Sequence, residues 1–275
     1  MPEHRRFPAV TVALGSLLTA AVVAIPVVWV TGAGERSEQP ATATATKGGV
    51  STAPVPKPAE PEVVEFVENA TGPQASFYSL ADGHRMGTAT ERFARPALSL
   101  AKLFIAEYVI EHGTEKEKRE AVHMISDSSD VVADELYEKY PESIDKVAEE
   151  YGLYSTRGAD RWGYSDTSTY DVVTFVATLL AEDPTHPILE AMHRADPVAA
   201  DGYGQDFGTS LLPGASGTKW GWSDDLSLHS SVTFGDGWVA AAAVTGSQDD
   251  LTKFVKAQMS DAASDAEKAA DGKRS

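Results

Sequence analysis

Leu98-Ser99-Leu100-Ala101-Lys102-Leu103-Phe104-Ile105-Ala106-Glu107-Tyr108-Val109-Ile110-Glu111 is the stretch on which the fold turns. Its middle, Leu103 to Ile110, is apolar on nearly every side of a helical wheel. A helix of that kind belongs at the centre of a domain, not on its surface. Near its start Ser99 and Lys102 stand at i and i+3, so both project from one face. Apolar surroundings strip water from the Lys amine, which lowers its pKa and lets it act as a base. A neutral amine beside a hydroxyl activates that hydroxyl as a nucleophile. Ser99 also lies where free backbone N–H groups at a helix start can stabilise an oxyanion. Taken alone, however, Ser-x-x-Lys is a common chance pattern.

Two further stretches join it. Ser128-Ser129-Asp130 follows Met124-Ile125 and precedes the apolar-periodic Val131 to Leu136. Read alone, a hydroxyl there is an N-cap. Gly217-Thr218-Lys219-Trp220-Gly221-Trp222 lies just before the strand-like segment from Leu226 to Phe234. A Lys closely followed by Gly at a sheet edge can bind a carboxylate and let backbone approach a substrate. Its plain reading is a turn with an exposed Lys and two packing Trp side chains.

Outward from these motifs the chain has a clear order. Val63 to Ala70 reads as a short amphipathic helix, Gln74 to Leu80 as a strand, and Ala81-Asp82-Gly83-His84 as a turn. Several short helices are expected between about 115 and 150. Ser168 and Asp171 make a capping pair ahead of a helix over Val172 to Ala181. Leu226 to Phe234 and Trp238 to Thr245 read as strands joined by Gly235-Asp236-Gly237. Asp249 to Met259 reads as a closing helix, and residues 263–275 as a frayed polar tail. The chain ends therefore supply one antiparallel sheet and the middle a helical lobe, an α+β fold with a cleft between the two parts.

Bulk properties narrow the function. The chain has 275 residues, no Cys and a net charge of -18. Such a charge repels phosphate backbones, so no nucleic-acid partner is expected. The absence of Cys excludes disulfides, thiolate metal sites and a Cys nucleophile. The seven His are scattered without metal-binding spacing, so neither metal nor cofactor is expected. His4, Arg5 and Arg6 precede an uncharged apolar run from Phe7 to Val30, long enough to cross a bilayer. The charge asymmetry keeps residues 1–6 in the cytoplasm and places the rest outside. The length of the run favours an uncleaved membrane anchor over 7–31, although Thr31-Gly32-Ala33-Gly34 would serve as a cleavage site. Residues 32–61, rich in Ala, Thr and Pro, form an extended tether, and the folded domain spans 62–262.

Ser-x-x-Lys, then Ser-x-Asn, then Lys-Thr-Gly, in that order, mark class A β-lactamases and penicillin-binding proteins. With Ser99-x-x-Lys102, Ser128-x-Asp130 and Lys219-Trp220-Gly221, the chain resembles that superfamily over most of residues 63–260. It resembles especially its exported actinobacterial β-lactamase-like members, whose third motif ends in Gly-Trp. The resemblance implies the three-layer α/β/α, β-lactamase/transpeptidase-like form of the α+β class. It also implies that Ser99 is acylated, Lys102 is its proton partner, and Ser128 passes a proton to the leaving group. Lys219 would draw in a substrate carboxylate, with Asp130, Trp220, Gly221 and Trp222 lining the substrate site. The N–H groups of Ser99 and Trp222 would form the oxyanion hole.

The departures from the pattern carry equal information. Asp130 stands where the pattern has Asn, adding a carboxylate that repels anionic substrates and competes for Lys102. Trp220 replaces a small hydroxyl residue. No Glu-x-x-Leu-Asn occurs between Tyr151 and Thr169, where class A β-lactamases carry the Glu that activates the deacylating water; Arg157, Asp160 and Arg161 stand there instead. The leading expectation is a membrane-tethered extracytoplasmic serine hydrolase or acyltransferase whose partner is cell-wall peptide or a related small substrate. Its rivals are a catalytically degenerate envelope-binding module and, behind it, a true β-lactamase. The sequence does not specify an oligomeric state.

Overall fold

The computed structural model describes residues 72–274. The expected anchor over 7–31, the tether over 32–61 and the short helix over 63–70 lie outside the described residues. No helix among the described residues is long and apolar enough to cross a membrane.

The chain enters through β1 (Gln74–Ser79), turns at 81–84 and returns as β2 (Arg85–Gly87). A short strand β3 (Arg95–Pro96) leads into a 3-10 turn, Leu98–Leu100, and then α1 (Ala101–His112). The lobe continues with α2 (Glu115–Asp127), α3 (Asp130–Lys139) and α4 (Ser143–Tyr151). After β4 (Asp166–Thr167), which pairs with β3, come α5 (Thr169–Glu182) and α6 (Pro187–His193). The chain then returns to the sheet as β5 (Ala215–Trp222), β6 (Leu228–Gly235) and β7 (Trp238–Thr245), and closes with α7 (Gln248–Arg274).

The main sheet has the order β2-β1-β7-β6-β5, with every pair antiparallel. First and last strands sit side by side, Gln74 opposite Ala243 and Ser79 opposite Trp238. The two chain ends thus build the sheet and the middle builds the lobe, as the element order implies. Strand alternation explains the three layers. Trp238, Ala240, Ala242 and Val244 of β7 pack with Leu251, Val255 and Met259 of α7 on one face. Val239 and Ala241 face the other way and join the core formed by α1 and α5. Four consecutive alanines, Ala240 to Ala243, leave room for a helix on each side.

Helix α1 runs through the lobe as its apolar periphery requires, with Leu103, Phe104, Ile105 and Ala106 all buried. The cap assigned to Ser168 is present, its side chain accepting from the Asp171 N–H.

Three readings need correction. The Gly217–Trp222 stretch is not a turn but the body of edge strand β5. Strand β6 begins at Leu228, because Asp225 accepts from Ser223 Oγ, Ser227 N and Ser227 Oγ and so folds a tight turn through Leu226, whose φ is 57°. Residues 263–274 are not a frayed tail but the continuation of α7. Ala263 and Ala266 extend the spacing of Leu251, Val255 and Met259, and both are buried against the sheet.

Candidate active site

Ser99 sits in the 3-10 turn that opens α1. The residue before it, Leu98, has a φ of 53°. That is a costly conformation for a branched side chain, and it aims the turn so that Ser99 faces the space between lobe and sheet. Lys102 rises from the first turn of α1, and its Nζ lies 2.9 Å from Ser99 Oγ.

Ser128 ends α2 in a left-handed conformation, φ 57°. The N-cap expected in this stretch belongs to Ser129, whose side chain accepts from Val132 N. Ser128 is thereby free to turn inward. Its Oγ accepts from Lys219 Nζ at 2.6 Å and from Lys102 Nζ at 3.4 Å. Its carbonyl accepts from Lys102 Nζ at 2.8 Å. Asp130, at the start of α3, comes to 2.5 Å from the same Nζ. Lys102 therefore has four oxygens around it.

Strand β5 supplies the opposite wall. Lys219 and Gly221 project toward Ser99. A Cβ on Gly221 would lie 3.0 Å from Ser99 N and 3.0 Å from Leu98 Cβ, so only glycine lets the strand approach this closely. Beyond it Ser223 N donates across the hairpin to Leu228 O. Backbone N–H groups alternate along a strand, so that of Trp222 points to the open edge.

Both lysines are fully buried. Burial lowers the Lys102 pKa, and the carboxylate of Asp130 opposes that shift. The Lys219 pKa is pushed well down by burial and further by the Lys102 charge. Trp162 lays its ring 4.6 Å from Lys102 Nζ, a cation–π contact that helps hold the amine in a dry setting. The cleft outside Ser99 encloses about 930 Å³.

The structures this chain resembles share that arrangement of sheet and lobe. Penicillin-binding protein D2 from Listeria monocytogenes, with cefotaxime bound, superposes with a TM-score of 0.52 at 16% identity, over 68% of this chain and 94% of its own. A β-lactamase from Chitinophaga pinensis gives 0.55 at 13% identity, over 70% and 94%. A β-lactamase from Streptosporangium roseum gives 0.52 at 12%, over 72% and 90%. The fold is that of the penicillin-binding proteins and β-lactamases. No protein-family model and no curated protein matches the sequence.

Within that fold, Ser99, Lys102, Ser128 and Lys219 converge, as their order in the chain implies. Asp130, Gly221 and Trp222 stand beside them. Trp220 does not. Alternation turns it to the α7 face of the sheet, where it is buried and donates from Nε1 to Phe207 O; its assignment to substrate binding is corrected. Lys219 is likewise not exposed to draw in a carboxylate, since its amine is directed to Ser128 Oγ and Trp220 O. Asp160 is exposed and does not line the cleft, whereas its neighbour Arg161 does.

Other cleft residues were not legible from the motifs. Trp162 Nε1 donates to Asp134 at 2.7 Å, and Trp222 Nε1 donates to Asp201 at 3.0 Å. Tyr203 lies against Trp222, ring centroids 4.8 Å apart. The sequence signal is faint: Trp162 falls within residues 63–260, which the resemblance covers, but nothing marks Asp134 or Asp201. Among the described residues no cluster of three or more His, Asp or Glu is placed to hold a metal ion.

Proposed function

We propose that this chain is an extracytoplasmic, membrane-tethered serine hydrolase or acyltransferase that works through an acyl-Ser99 intermediate, with cell-wall peptide or a related small molecule as substrate. The convergence of Ser99, Lys102, Ser128 and Lys219 on one cleft carries this reading. A neutral Lys102 amine has two hydrogens and one lone pair. Asp130 and the Ser128 carbonyl take the hydrogens, which leaves the lone pair facing Ser99 Oγ. Ser99 Oγ then attacks a substrate carbonyl while its proton passes to Lys102. Negative charge on the carbonyl oxygen is met by the Ser99 and Trp222 N–H groups. As the bond to the leaving group breaks, Ser128 supplies the departing atom with a proton and is reprotonated from the lysines around it. Water, or an acceptor amine, then cleaves the ester and restores Ser99.

No carboxylate from the 157–167 segment, where class A β-lactamases carry the base for the last step, lines the cleft. Intact-protein mass after exposure to a labelled penicillin tests the reading. We expect a persistent adduct on the wild type and none on Ser99→Ala. Rapid loss of the adduct would instead favour a β-lactamase. No adduct on the wild type would favour a second reading, a binding module on a retired catalytic fold. Its support is the Asp130 ion pair, which favours the charged form of Lys102, the form that cannot act as a base, against the lowering by burial.

A further inference from the structure

We infer that the cleft recognises a positively charged organic group on its substrate, with the Trp162–Asp134 and Trp222–Asp201 pairs as the specificity determinants. This rests on the acyl-enzyme reading of the same cleft and names its substrate class.

Charge is distributed one way. Besides Asp130, which is paired with Lys102, the cleft is lined by Asp134, Asp201, Asp224 and Asp225 against a single cationic side chain, Arg161. The two lysines at the centre do not offset this at the mouth. Both are fully buried, and Lys102 is already matched by Asp130. Serine hydroxyls and a backbone N–H hold the Asp225 pKa down at about 2, so it is ionised at any working pH. An anionic substrate meets repulsion on this approach.

The aspartates are also positioned. Asp201 is held by two donors, Trp222 Nε1 at 3.0 Å and Tyr203 N at 2.8 Å. Asp134 is held by Trp162 Nε1 at 2.7 Å. In each pair an indole gives its N–H to a carboxylate while both residues line the cleft. An aromatic face beside a fixed carboxylate is the combination that binds ammonium and guanidinium groups, through the ring quadrupole and the full charge together. Trp162 already does this for one ammonium, that of Lys102. No three of these carboxylates converge as metal ligands do, so an organic cation is the better match.

Ser99 is 7% exposed and lines the cavity. Its Oγ lies 2.9 Å from Lys102 Nζ. Ser99 therefore fixes where the reacting carbonyl sits, and the Trp–Asp pairs lie around that position.

Three nitrophenyl esters with one common acyl chain, ending in trimethylammonium, tert-butyl or carboxylate, test the inference. Acylation of the folded chain is followed by intact mass, with Ser99→Ala as the background. We expect the trimethylammonium ester to acylate about tenfold faster than its tert-butyl isostere, and the carboxylate ester to be slowest. High salt should shrink the ratio. Asp134→Asn keeps the oxygen that Trp162 bonds, and should cut the cation-to-neutral ratio roughly threefold; Asp201→Asn provides a second, independent reading. Equal rates for the first two esters, or a lead for the carboxylate, with Ser99 acylated, would overturn the inference and leave the acyl-enzyme reading intact. The unreactive amide of the trimethylammonium acid, titrated by calorimetry, separates the two claims. Cation-selective binding without acylation by any ester would sink the enzyme and support the recognition. Neither acylation nor cation-selective binding would sink both.

Discussion

Helix α1 buries two ionisable side chains, Lys102 and Glu107, and their surroundings differ sharply. Lys102 is met by Ser99 Oγ, Ser128 Oγ, the Ser128 carbonyl and Asp130. Glu107 accepts one strong bond, from Tyr151 OH at 2.6 Å, and its second oxygen has no hydrogen-bond partner. His186 Nε2 stands 3.4 Å from that oxygen. Around Lys102 the partners are two hydroxyls, a carbonyl and a carboxylate, all of which the proposed reaction uses. Around Glu107 the neighbours are helix α4 and the start of α6, far along α1 from the cleft. Burial alone perturbs both groups; only the company each keeps separates a reaction centre from an awkward core residue.

The largest expected effect tests the Lys102 half directly. Lys102→Met should keep the helix, since the site is apolar but for its oxygens, and should slow Ser99 acylation by about 10²–10⁴-fold, the range of a lost general base. Single-turnover mass spectrometry with an activated ester measures it. A variant that acylates as fast as wild type would mean that Lys102 is packing, like Glu107. Ser128→Ala should cost less, roughly 10²-fold, and most with poor leaving groups, because only those need a proton delivered.

A smaller effect sharpens the electrostatics at the same amine. Asp130 raises the Lys102 pKa against the lowering by burial. The base works when neutral, so the acylation rate should rise with pH through the Lys102 pKa. Removing the carboxylate in Asp130→Asn favours the neutral amine and should move that rise to lower pH. A pH–rate profile of both proteins checks the direction. An unchanged profile would show that neither the charge nor the hydrogen bond of Asp130 sets the Lys102 pKa.

Much of this arrangement is legible in the sequence. The all-round apolar character of Leu103 to Ile110 places α1 at the centre, and the element order places the sheet at the chain ends. Three short motifs, each weak alone, converge because a strand edge, a helix start and an inter-helix corner meet there. What failed did so for local reasons. Whether Trp220 faces the cleft depends on strand parity, which a stretch read as a turn does not have. Residues 263–274 look polar because Asp, Lys and Ser dominate them, yet Ala263 and Ala266 suffice to dock a helix against a sheet of small residues. Asp134 and Asp201 lie far apart in sequence and come together only through tertiary packing.

The smallest effect belongs to Glu107 and concerns stability. Burial raises its pKa to about 7, with Glu111, Glu150 and Glu182 adding to the rise and the Tyr151 hydrogen bond opposing it. In the unfolded chain a Glu titrates near 4.3. Between those values the folded protein holds a proton that the unfolded chain has released. Stability from this group is therefore complete below about pH 4 and is lost as pH rises through about 7, by an amount on the order of 3–4 kcal/mol. Asp171, buried and raised to about 6, acts with the same sign over a lower window. Glu107→Gln keeps the shape and the Tyr151 bond and carries no charge at any pH. It should flatten the pH dependence of unfolding between about 4.5 and 7 and leave the protein about 1–2 kcal/mol more stable than wild type at pH 8. Urea unfolding at a series of pH values measures both. His186 decides the alternative. Its Nδ1 accepts from Ile188 N, so its Nε2 hydrogen faces the unpartnered Glu107 oxygen. Burial lowers the His186 pKa, against pulls from Asp183, Glu111 and Glu182, which keeps the ring neutral at pH 8. A Gln variant that proves less stable than wild type at pH 8 would show that this neutral donor compensates the buried charge after all. Glu107 would then be as well satisfied as Lys102, and the contrast between the two ends of α1 would rest on their motifs alone.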